Sequence, residues 1–365
     1  MEKVIKVGLA SYGMSGKVFH APLLASNPNF CLKKILERSP KGSKERYPDV
    51  EIATDYGSLL EDKEIELIVV NTPDRTHFEL SKSALLAGKH VVVEKPVTMT
   101  TSEGEELNKL AKKQNSVLSI FQNRRWDGDF LTVKKVIDKK WLGRLVVFES
   151  HFDRYRNFIQ EHTWKEEEDK GTGILYNLGS HLIDQALVLF GTPESVTADI
   201  DKVRTGSSVA DYFDLQLGYE SVKVILRASY LVREPGPRFT LHGTEGSFIK
   251  FGIDPQEQAL NEGRLPVGED WGKEEEKFRG LLNTNLNGDH IQDKIETLPG
   301  NYPIYYNNIY AAIRGESELL VKPEEALNVI RVIEAAIESN QKQQTVYLNV
   351  PNSSSISSSV KKCPD

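Results

Sequence analysis

Short apolar runs without polar alternation recur through the first third of the chain, and segments with helical spacing separate them. Runs rich in valine and isoleucine predict strands that are covered on both faces, because a half-exposed strand would alternate with polar residues. Strands are predicted at residues 3–10, 30–36, 65–71, 91–94 and 117–121. Helices are predicted at 78–87 and at 103–114, with Ser102 as a candidate N-cap. The alternation predicts an α/β fold built on a doubly wound parallel sheet.

The pattern changes after Asn123, where strand-like segments follow each other closely and tight turns join them. They lie at 145–152, 212–219, 222–230, 238–242 and 247–251. Such spacing predicts a mostly antiparallel open sheet, and helical spacing at 178–190 and 324–340 completes an α+β second domain. Residues 256–300 are polar and glycine-rich, and we interpret them as a long irregular excursion. We therefore expect domains at 1–123 and 124–350, followed by a disordered serine-rich tail at 351–365.

Composition and charge narrow the classes of partner. The chain has 365 residues, a net charge of −7 and a pI near 5.8, which disfavours a nucleic-acid surface. No apolar run reaches the length of a membrane span, so we expect a cytoplasmic protein with no membrane partner. Two cysteines are too few for a disulfide framework or a thiolate metal site, and the histidines lack metal-ligand spacing, so no metal is expected.

A glycine-bearing turn follows the first predicted strand. It comprises Ser11, Tyr12, Gly13, Met14, Ser15 and Gly16. Turns that bind dinucleotides need glycines for the tight bend, for close approach of the pyrophosphate and for packing of the next helix on the strand. Gly13 and Gly16 occupy the second and third of these positions, and Ser11 stands at the first. With a strand before it and a helix after it, the turn predicts a site for nucleotide phosphates.

The end of the second predicted strand carries features of both nicotinamide cofactors. Glu37 lies 21 residues beyond Gly16, where an acidic side chain would bond the ribose 2′-hydroxyl of NAD. Arg38 and Ser39 follow it, and an arginine with a hydroxyl suits the 2′-phosphate of NADP. We favour NADP, with NAD as the alternative, because Glu37 is free to turn away.

Two further strand ends carry candidate site residues. Thr72 and Pro73 follow the third predicted strand, and a turn fixed by proline lets the backbone pass close to a flat ligand. His77 begins the next helix, where capping or packing is as good an interpretation as cofactor contact. Lys95 ends the apolar run at 91–94, where open α/β sheets bind their ligands. Partial desolvation would let this lysine transfer protons near neutral pH.

In combination, these features resemble the Gfo/Idh/MocA oxidoreductases, which join an N-terminal Rossmann domain to a C-terminal α/β domain. The resemblance rests on Gly13 and Gly16, on Thr72-Pro73 with His77, on Glu94-Lys95-Pro96 and on Gly179-Ser180-His181-Leu182-Ile183-Asp184. The chain also resembles the branch of scyllo-inositol dehydrogenases that prefers NADP, in the sequence segments 16–22, 122–127, 154–158 and 176–181. The resemblance covers residues 3–350.

The resemblance implies roles for individual residues. The family's lysine in Glu-Lys-Pro contacts both nicotinamide ribose and substrate, which carries over to Lys95, and the peptide bond before the proline is often cis. The family's histidine acts on the substrate hydroxyl, which carries over to His181. Many members have aspartate four residues earlier, whereas this chain has Asn177, which orients a hydroxyl but takes no proton. Helical spacing would put Asp184 within reach of the His181 imidazole.

Additional contacts complete the expected site. We count Glu94, Asn123 and Arg125 among the residues that contact the cofactor. A polyol needs many hydrogen bonds and a few flat apolar faces, and we expect these from Arg125, Trp126, Tyr155, Arg156, Trp164, Asn177 and His181. Core or interface packing is an equally good interpretation of both tryptophans.

These features predict reversible hydride transfer between the nicotinamide C4 and a secondary alcohol or ketone of an inositol-like cyclic polyol or sugar. Either His181 or Lys95 is the first proton acceptor. Two alternatives stay open, namely a non-catalytic nucleotide-binding regulator on the same scaffold and a sugar dehydrogenase that acts at the anomeric carbon. The resemblance also implies a homo-oligomer, a dimer or a tetramer, assembled through the second sheet.

Overall fold

The computed structural model describes residues 4–39, 42–161, 163–168 and 171–348, without the side chain of Trp164. The predicted tail at 351–365 lies outside the described residues. None of the described helices combines the length and the apolarity that crossing a lipid bilayer requires.

Within the described residues, the first sheet has six parallel strands in the order β3-β2-β1-β4-β5-β6. The strands are β1 Ile5–Leu9, β2 Phe30–Leu36, β3 Glu51–Ala53, β4 Leu67–Val70, β5 His90–Val93 and β6 Leu118–Ile120. This order confirms the predicted doubly wound sheet, whose ligand crevice lies where the strand order reverses, beside β1 and β4. The sequence pattern missed β3, because its three residues are too few to show a period.

Short helical segments connect these strands. They are a π-helical turn Gly16–His20, α1 Ala21–Ala25, α2 Ser43–Arg46, α3 Gly57–Leu60, a 3₁₀ turn Asp74–Thr76, α4 His77–Leu86, α5 Thr101–Lys113 and a 3₁₀ turn Asn123–Trp126. The proposed N-cap Ser102 is wrong. Thr100 caps α5, because its hydroxyl accepts from the Glu103 N–H while the Glu103 carboxylate accepts from the Thr100 N–H.

The second sheet has nine strands among the described residues, in the order β14-β13-β12-β11-β7-β10-β9-β8-β15. They are β7 Leu145–His151, β8 Ser195–Asp201, β9 Tyr212–Gly218, β10 Lys223–Ser229, β11 Phe239–Gly243, β12 Gly246–Lys250, β13 Gly280–Leu286, β14 Asp289–Ile295 and β15 Val346–Tyr347. Every pairing is antiparallel except β7 with β10. The predicted mostly antiparallel sheet is confirmed.

The interpretation of residues 256–300 as an irregular excursion is wrong. This segment contains a helix at Gln256–Asn261 and the hairpin β13–β14, which extends the sheet. The sequence pattern does not predict the hairpin, because β14 has no buried side chain and therefore no apolar alternation. A strand at the edge of a sheet that packs against nothing keeps a polar sequence.

Helices tie the two sheets together. The remaining helical segments are α6 Gly128–Asp138, a 3₁₀ turn Trp164–Glu166, a π-helical turn Leu175–Gly179, α7 Ser180–Phe190, α8 Gln256–Asn261, a 3₁₀ turn Glu276–Phe278, α9 Pro303–Ile313 and α10 Pro323–Lys342. α7 and α10 pack on the second sheet, while α10 also contacts α5 and α9 contacts α1. This packing holds the carboxyl edge of the first sheet opposite the second sheet and leaves a cavity between them.

Candidate active site

The turn after β1 is shaped by a serine in place of the first glycine. The Ser11 hydroxyl accepts a hydrogen bond from the Gly13 N–H at 3.1 Å, which closes the bend. Gly16 packs so tightly that a Cβ there would lie 2.3 Å from the Ser11 carbonyl oxygen. Asn71, after β4, donates its amide to the same carbonyl at 2.8 Å. These contacts fix the backbone conformation of the turn at the carboxyl end of β1.

The end of β2 separates the two features that point to different cofactors. Glu37 is buried, and its carboxylate accepts a hydrogen bond from the Ser43 N–H at 3.3 Å. Arg38 and Ser39 are exposed. Among the described residues, the Arg38 guanidinium has no ion-pair partner. The Glu37 carboxylate thus binds within its own loop, and the Arg38 side chain is exposed.

His77 joins the loops that follow β4 and β5. Its ring is fully buried, with Nδ1 2.8 Å from the Pro96 carbonyl oxygen and Nε2 2.9 Å from that of Thr72. The Lys95–Pro96 peptide bond is cis, as the family resemblance implied. His77 thereby links the backbones of these two loops, and its ring does not line the cavity.

Lys95 reaches from β5 across the crevice to the second domain. Its ammonium donates to the Asn177 carbonyl oxygen at 2.7 Å and lies 3.4 Å from the Asn177 side-chain oxygen. Burial lowers the pKa of Lys95 to about 8, against the opposing charges of Glu94 and Asp74. A lysine with this pKa exchanges protons readily near neutral pH.

A buried chain of polar groups holds Glu94 beside Lys95. Glu94 Oε1 lies 3.0 Å from His20 Nε2, and His20 Nδ1 lies 2.7 Å from the Tyr306 hydroxyl on α9. Burial opposes ionisation of Glu94, but the hydrogen bond from His20 and the nearby cations hold the pKa of this carboxyl below its usual value. An ionised carboxylate only accepts, so His20 Nε2 donates to it and Tyr306 is placed to donate to Nδ1.

Asn177 and His181 lie on consecutive turns where the π-helical turn Leu175–Gly179 passes into α7. π-helical turns are frequent at functional sites because they re-aim side chains. The Asn177 amide donates to the Tyr230 hydroxyl at 3.2 Å. Both Asn177 and His181 line the cavity that also contains Lys95. The predicted trio is therefore brought together from two domains.

The His181 ring is buried, and its Nδ1 has no hydrogen-bond partner among the described residues. Burial and the positive charges of Lys95, Arg124, Arg238 and Arg154 hold the pKa of His181 well below its usual value. The expectation that Asp184 orients this ring is wrong. Both oxygens of Asp184 accept from Arg125, at 2.8 and 2.7 Å, because that guanidinium fork matches a carboxylate.

The cavity has a volume of about 680 Å³, a size suited to organic ligands. Twelve of the sequence-predicted residues line it: Ser11, Gly13, Met14, Ser15, Thr72, Pro73, Glu94, Lys95, Asn123, Arg156, Asn177 and His181. Other predicted residues do not line it: Tyr12, Gly16, Glu37, Arg38, Ser39, His77, Arg125, Trp126 and Tyr155. The side chain of Trp164 lies outside the described residues.

Three of the expected substrate contacts have other neighbours. Arg125 bridges Asp184 and Glu325. Trp126 is buried with its ring edge-on to Tyr305, with the centroids 6.0 Å apart. Tyr155 is exposed and is stacked by a neighbouring arginine. These placements agree with the packing interpretation of Trp126 that the sequence left open.

The sequence missed several residues that line the cavity, among them Asp74, Arg124, Arg154, Tyr230 and Glu257. Glu257 lies on α8, in the segment interpreted as irregular, and forms an ion pair with Arg124. The segment 154–158 held the available signal for Arg154, although only Tyr155 and Arg156 of that segment were predicted to contact substrate. Both Arg154 and Tyr230 follow strands of the second sheet.

Two family models match the chain. The model described as "Oxidoreductase family, NAD-binding Rossmann fold" (GFO_IDH_MocA) matches residues 5–122. The model described as "Oxidoreductase family, C-terminal alpha/beta domain" matches residues 134–348. Together they cover both sheets.

Individual relatives are similar over nearly the whole chain. The scyllo-inositol 2-dehydrogenase (NADP(+)) IolW of Bacillus subtilis is 42% identical over 344 residues, which are 94% of this chain and 96% of that protein. A solved structure from Bacteroides fragilis, described as an oxidoreductase, is 52% identical with a TM-score of 0.88, covering 95% of this chain and 100% of its own. The oxidoreductase structure of yvaA from Bacillus subtilis is 42% identical with a TM-score of 0.92, covering 95% and 99%.

Proposed function

The chain belongs to the Gfo/Idh/MocA family of NAD(P)-dependent oxidoreductases, and on that premise we propose that it is an NADP-dependent dehydrogenase of inositol-like cyclic polyols. The observation that carries the proposal is the meeting of Lys95 with His181 in the cavity beside the glycine turn. A regulator that only senses nucleotide would need neither side chain there. Catalysis is therefore the better interpretation.

The residues at the mouth of the first sheet fit a nicotinamide dinucleotide. The space that a side chain at Gly16 would fill is closed off by the Ser11 backbone, so only glycine leaves the turn in this shape. Ser11, Gly13 and Ser15 would hold the pyrophosphate at this turn, and Thr72, Pro73 and Lys95 would border the nicotinamide end. When bound, the nicotinamide accepts or supplies the hydride.

We assign proton transfer to Lys95. The pKa of Lys95 is lowered by burial to about 8, which brings its proton affinity close to the operating pH, as an efficient general base requires. The bond to the Asn177 carbonyl uses only one N–H, so the neutral amine keeps its position while its lone pair accepts the hydroxyl proton. In ketone reduction, the ammonium returns a proton to the same oxygen.

His181 stays neutral in this scheme, because burial and the surrounding cations lower its pKa. A neutral imidazole has one donor and one acceptor nitrogen with which to orient the reacting hydroxyl, and the lowered pKa makes it a weaker base than Lys95. Asn177, fixed by Tyr230, binds a neighbouring hydroxyl. Arg156 supplies a further donor on the cavity wall.

The preference for NADP rests on the end of β2. Glu37 is buried against Ser43, so it does not offer its carboxylate to a ribose 2′-hydroxyl. The exposed Arg38 and Ser39 suit a 2′-phosphate, since a guanidinium fork and a hydroxyl both donate to phosphate oxygens. The NADP-dependent relative IolW supports the same preference.

We also propose self-assembly through the outer face of the second sheet. Along β7, Val147 and Glu149 are half-buried while Phe148 and Ser150 between them are buried, and Ile225 on β10 lies beside Glu149 on the less covered face. A face that mixes apolar and charged side chains in this way suits a second copy of the chain.

The test is a screen of the purified protein with NADP and with NAD against inositols, aldoses and keto-sugars. The proposal predicts reduction of NADP by at least one inositol, with kcat/KM for NADP about tenfold or more above that for NAD, as one additional charge-assisted contact gives. Tight binding of NADP without turnover of any polyol or sugar would leave the regulator as the function.

A further inference from the structure

Three guanidinium groups surround one phenyl ring, and two of them, those of Arg124 and Arg154, belong to residues that line the cavity. The guanidinium carbons of Arg124, Arg154 and Arg238 lie 4.9, 5.0 and 4.8 Å from the centroid of the Phe152 ring. Phe152 is itself buried at the end of β7. Stacking on an aromatic face fixes the direction of a guanidinium while leaving its N–H groups in the plane free to donate.

Two of these arginines have acceptors within the protein. Arg124 pairs with Asp127, at 3.3 Å, and with Glu257. Arg238 donates to Ser150 Oγ at 2.5 Å, to the His151 carbonyl at 2.9 Å and to Gln185 at 3.1 Å. Arg124 and Arg238 therefore use their charges and most of their donors in contacts within the protein.

Arg154 is different. It lines the cavity, yet among the described residues its guanidinium has no hydrogen-bond acceptor and no ion-pair partner. The carboxylate with the largest influence on it is that of Glu257, which is already bound by Arg124. Burial, together with the charges of Arg124 and Arg156, lowers the pKa of Arg154 from its usual value. An incompletely hydrated cation without acceptors is costly unless a ligand supplies them.

We propose that Arg154 is the specificity-determining anchor of the substrate and binds two adjacent oxygen atoms of it through the guanidinium fork. The inference rests on the proposed function, since it concerns the substrate of the same site. Two N–H groups of one guanidinium face the same direction, so they match a pair of neighbouring oxygens better than a single one. The substrate class is therefore narrowed to compounds that carry such a pair.

Two kinds of substrate supply this chemistry, namely neighbouring ring hydroxyls of a neutral polyol and the carboxylate of a sugar acid. Arg154 and His181 line the same cavity, an arrangement that is compatible with either substrate. The arms of the experiment distinguish them by using an inositol and a hexuronate with the same variants.

The test compares wild type with Arg154→Met, which keeps the length and apolar stacking on Phe152 but removes the donors, and with Arg154→Lys, which restores the charge without the fork. Arg233→Met is the matched control, because Arg233 also stacks on an aromatic ring, that of Tyr155, but does not line the cavity. Steady-state kcat/KM for each substrate and the Kd for NADP are measured for all four proteins.

We expect Arg154→Met to lower kcat/KM about 10- to 100-fold, the loss that follows removal of charge-assisted hydrogen bonds. Arg154→Lys should recover only part of it, and the Kd for NADP should stay within about threefold of wild type. A loss with the inositol identifies hydroxyls as the partner, and a loss confined to a preferred hexuronate identifies a carboxylate.

This inference would be overturned if Arg154→Met had the same kcat/KM as the wild type for every accepted substrate. The proposed function would then still stand. Absence of wild-type turnover with all polyols and sugar acids would overturn both. An equal loss of NADP affinity in Arg154→Met would show a structural role and would also overturn the assignment.

Discussion

At the scale of single residues, the chemistry of the site follows from what each titratable group is buried against. Burial alone would push the pKa of Lys95 further down, but the charges of Glu94 and Asp74 resist it. Glu94 provides this charge because the hydrogen bond from His20, together with the charge of Lys95, holds the pKa of its carboxyl below the usual value. Among the described residues, no carboxylate forms an ion pair with His181, and burial with the surrounding cations holds its pKa well below the usual value. The two candidate bases thereby acquire different roles.

The departure at Asn177 gives a prediction about pH. The proposed role of Lys95 as the base in alcohol oxidation requires its neutral amine, so kcat/KM should rise with pH and level off above the lysine's pKa of about 8. In Asn177→Asp, a carboxylate next to the ammonium favours the protonated form and raises this pKa, so the rising limb moves to higher pH by about one unit. The measurement is the pH profile of kcat/KM for polyol oxidation.

Asn177→Ala is the control for this experiment. It removes the amide and its bond to Tyr230 without adding a charge, so it should lower the rate and leave the position of the limb unchanged. If the rising part of the pH profile stayed at the same pH in Asn177→Asp, the group that must lose its proton for activity would not be Lys95.

At the scale of elements, the site is built from strand ends and two irregular helical turns. The first sheet was predictable to this level, because the central strands Leu67–Val70 and His90–Val93 carry short apolar runs of buried residues. The turns Gly16–His20 and Leu175–Gly179 were not, since a π-helical turn differs from an α-helix by one residue and leaves no separate period in the sequence.

The glycine turn gives a prediction at this scale. In Gly16→Ala, the new methyl group would lie 2.3 Å from the Ser11 carbonyl and 2.8 Å from the Asn71 amide, so the backbone must move. We expect a loss of about 1–3 kcal/mol in the free energy of unfolding, the range for an overpacked site, and a weaker affinity for NADP. Chemical denaturation and NADP titration check the two effects.

Gly236→Ala is the matched control, because a Cβ there meets no atom within 4 Å. It should change neither stability nor affinity. Wild-type affinity for NADP in Gly16→Ala, with the expected loss of stability, would separate this turn from nucleotide binding.

At the scale of the whole molecule, the site lies between two units that α10 links, because this helix packs on β8 of the second sheet and on α5 and β6 of the first domain. Tyr305 and Tyr306 of α9 reach Ser119 and His20 in the first domain, and Lys95 reaches Asn177 in the second. The sequence predicted which motifs carry the chemistry but not which strand ends of the second sheet face the crevice. Arg154 and Tyr230 were missed for this reason, because sequence spacing within one domain carries no information about its orientation to another.

The central claim is that Lys95 performs the proton transfer of a polyol dehydrogenase, and the most direct test is the rate of NADPH formation by Lys95→Met with a polyol that the wild type accepts. The account predicts a fall in kcat/KM of about 10²- to 10⁴-fold, the contribution of a general base, with NADP still bound. Lys139→Met, at an exposed lysine after α6, should match the wild type. Wild-type turnover in Lys95→Met would contradict the account.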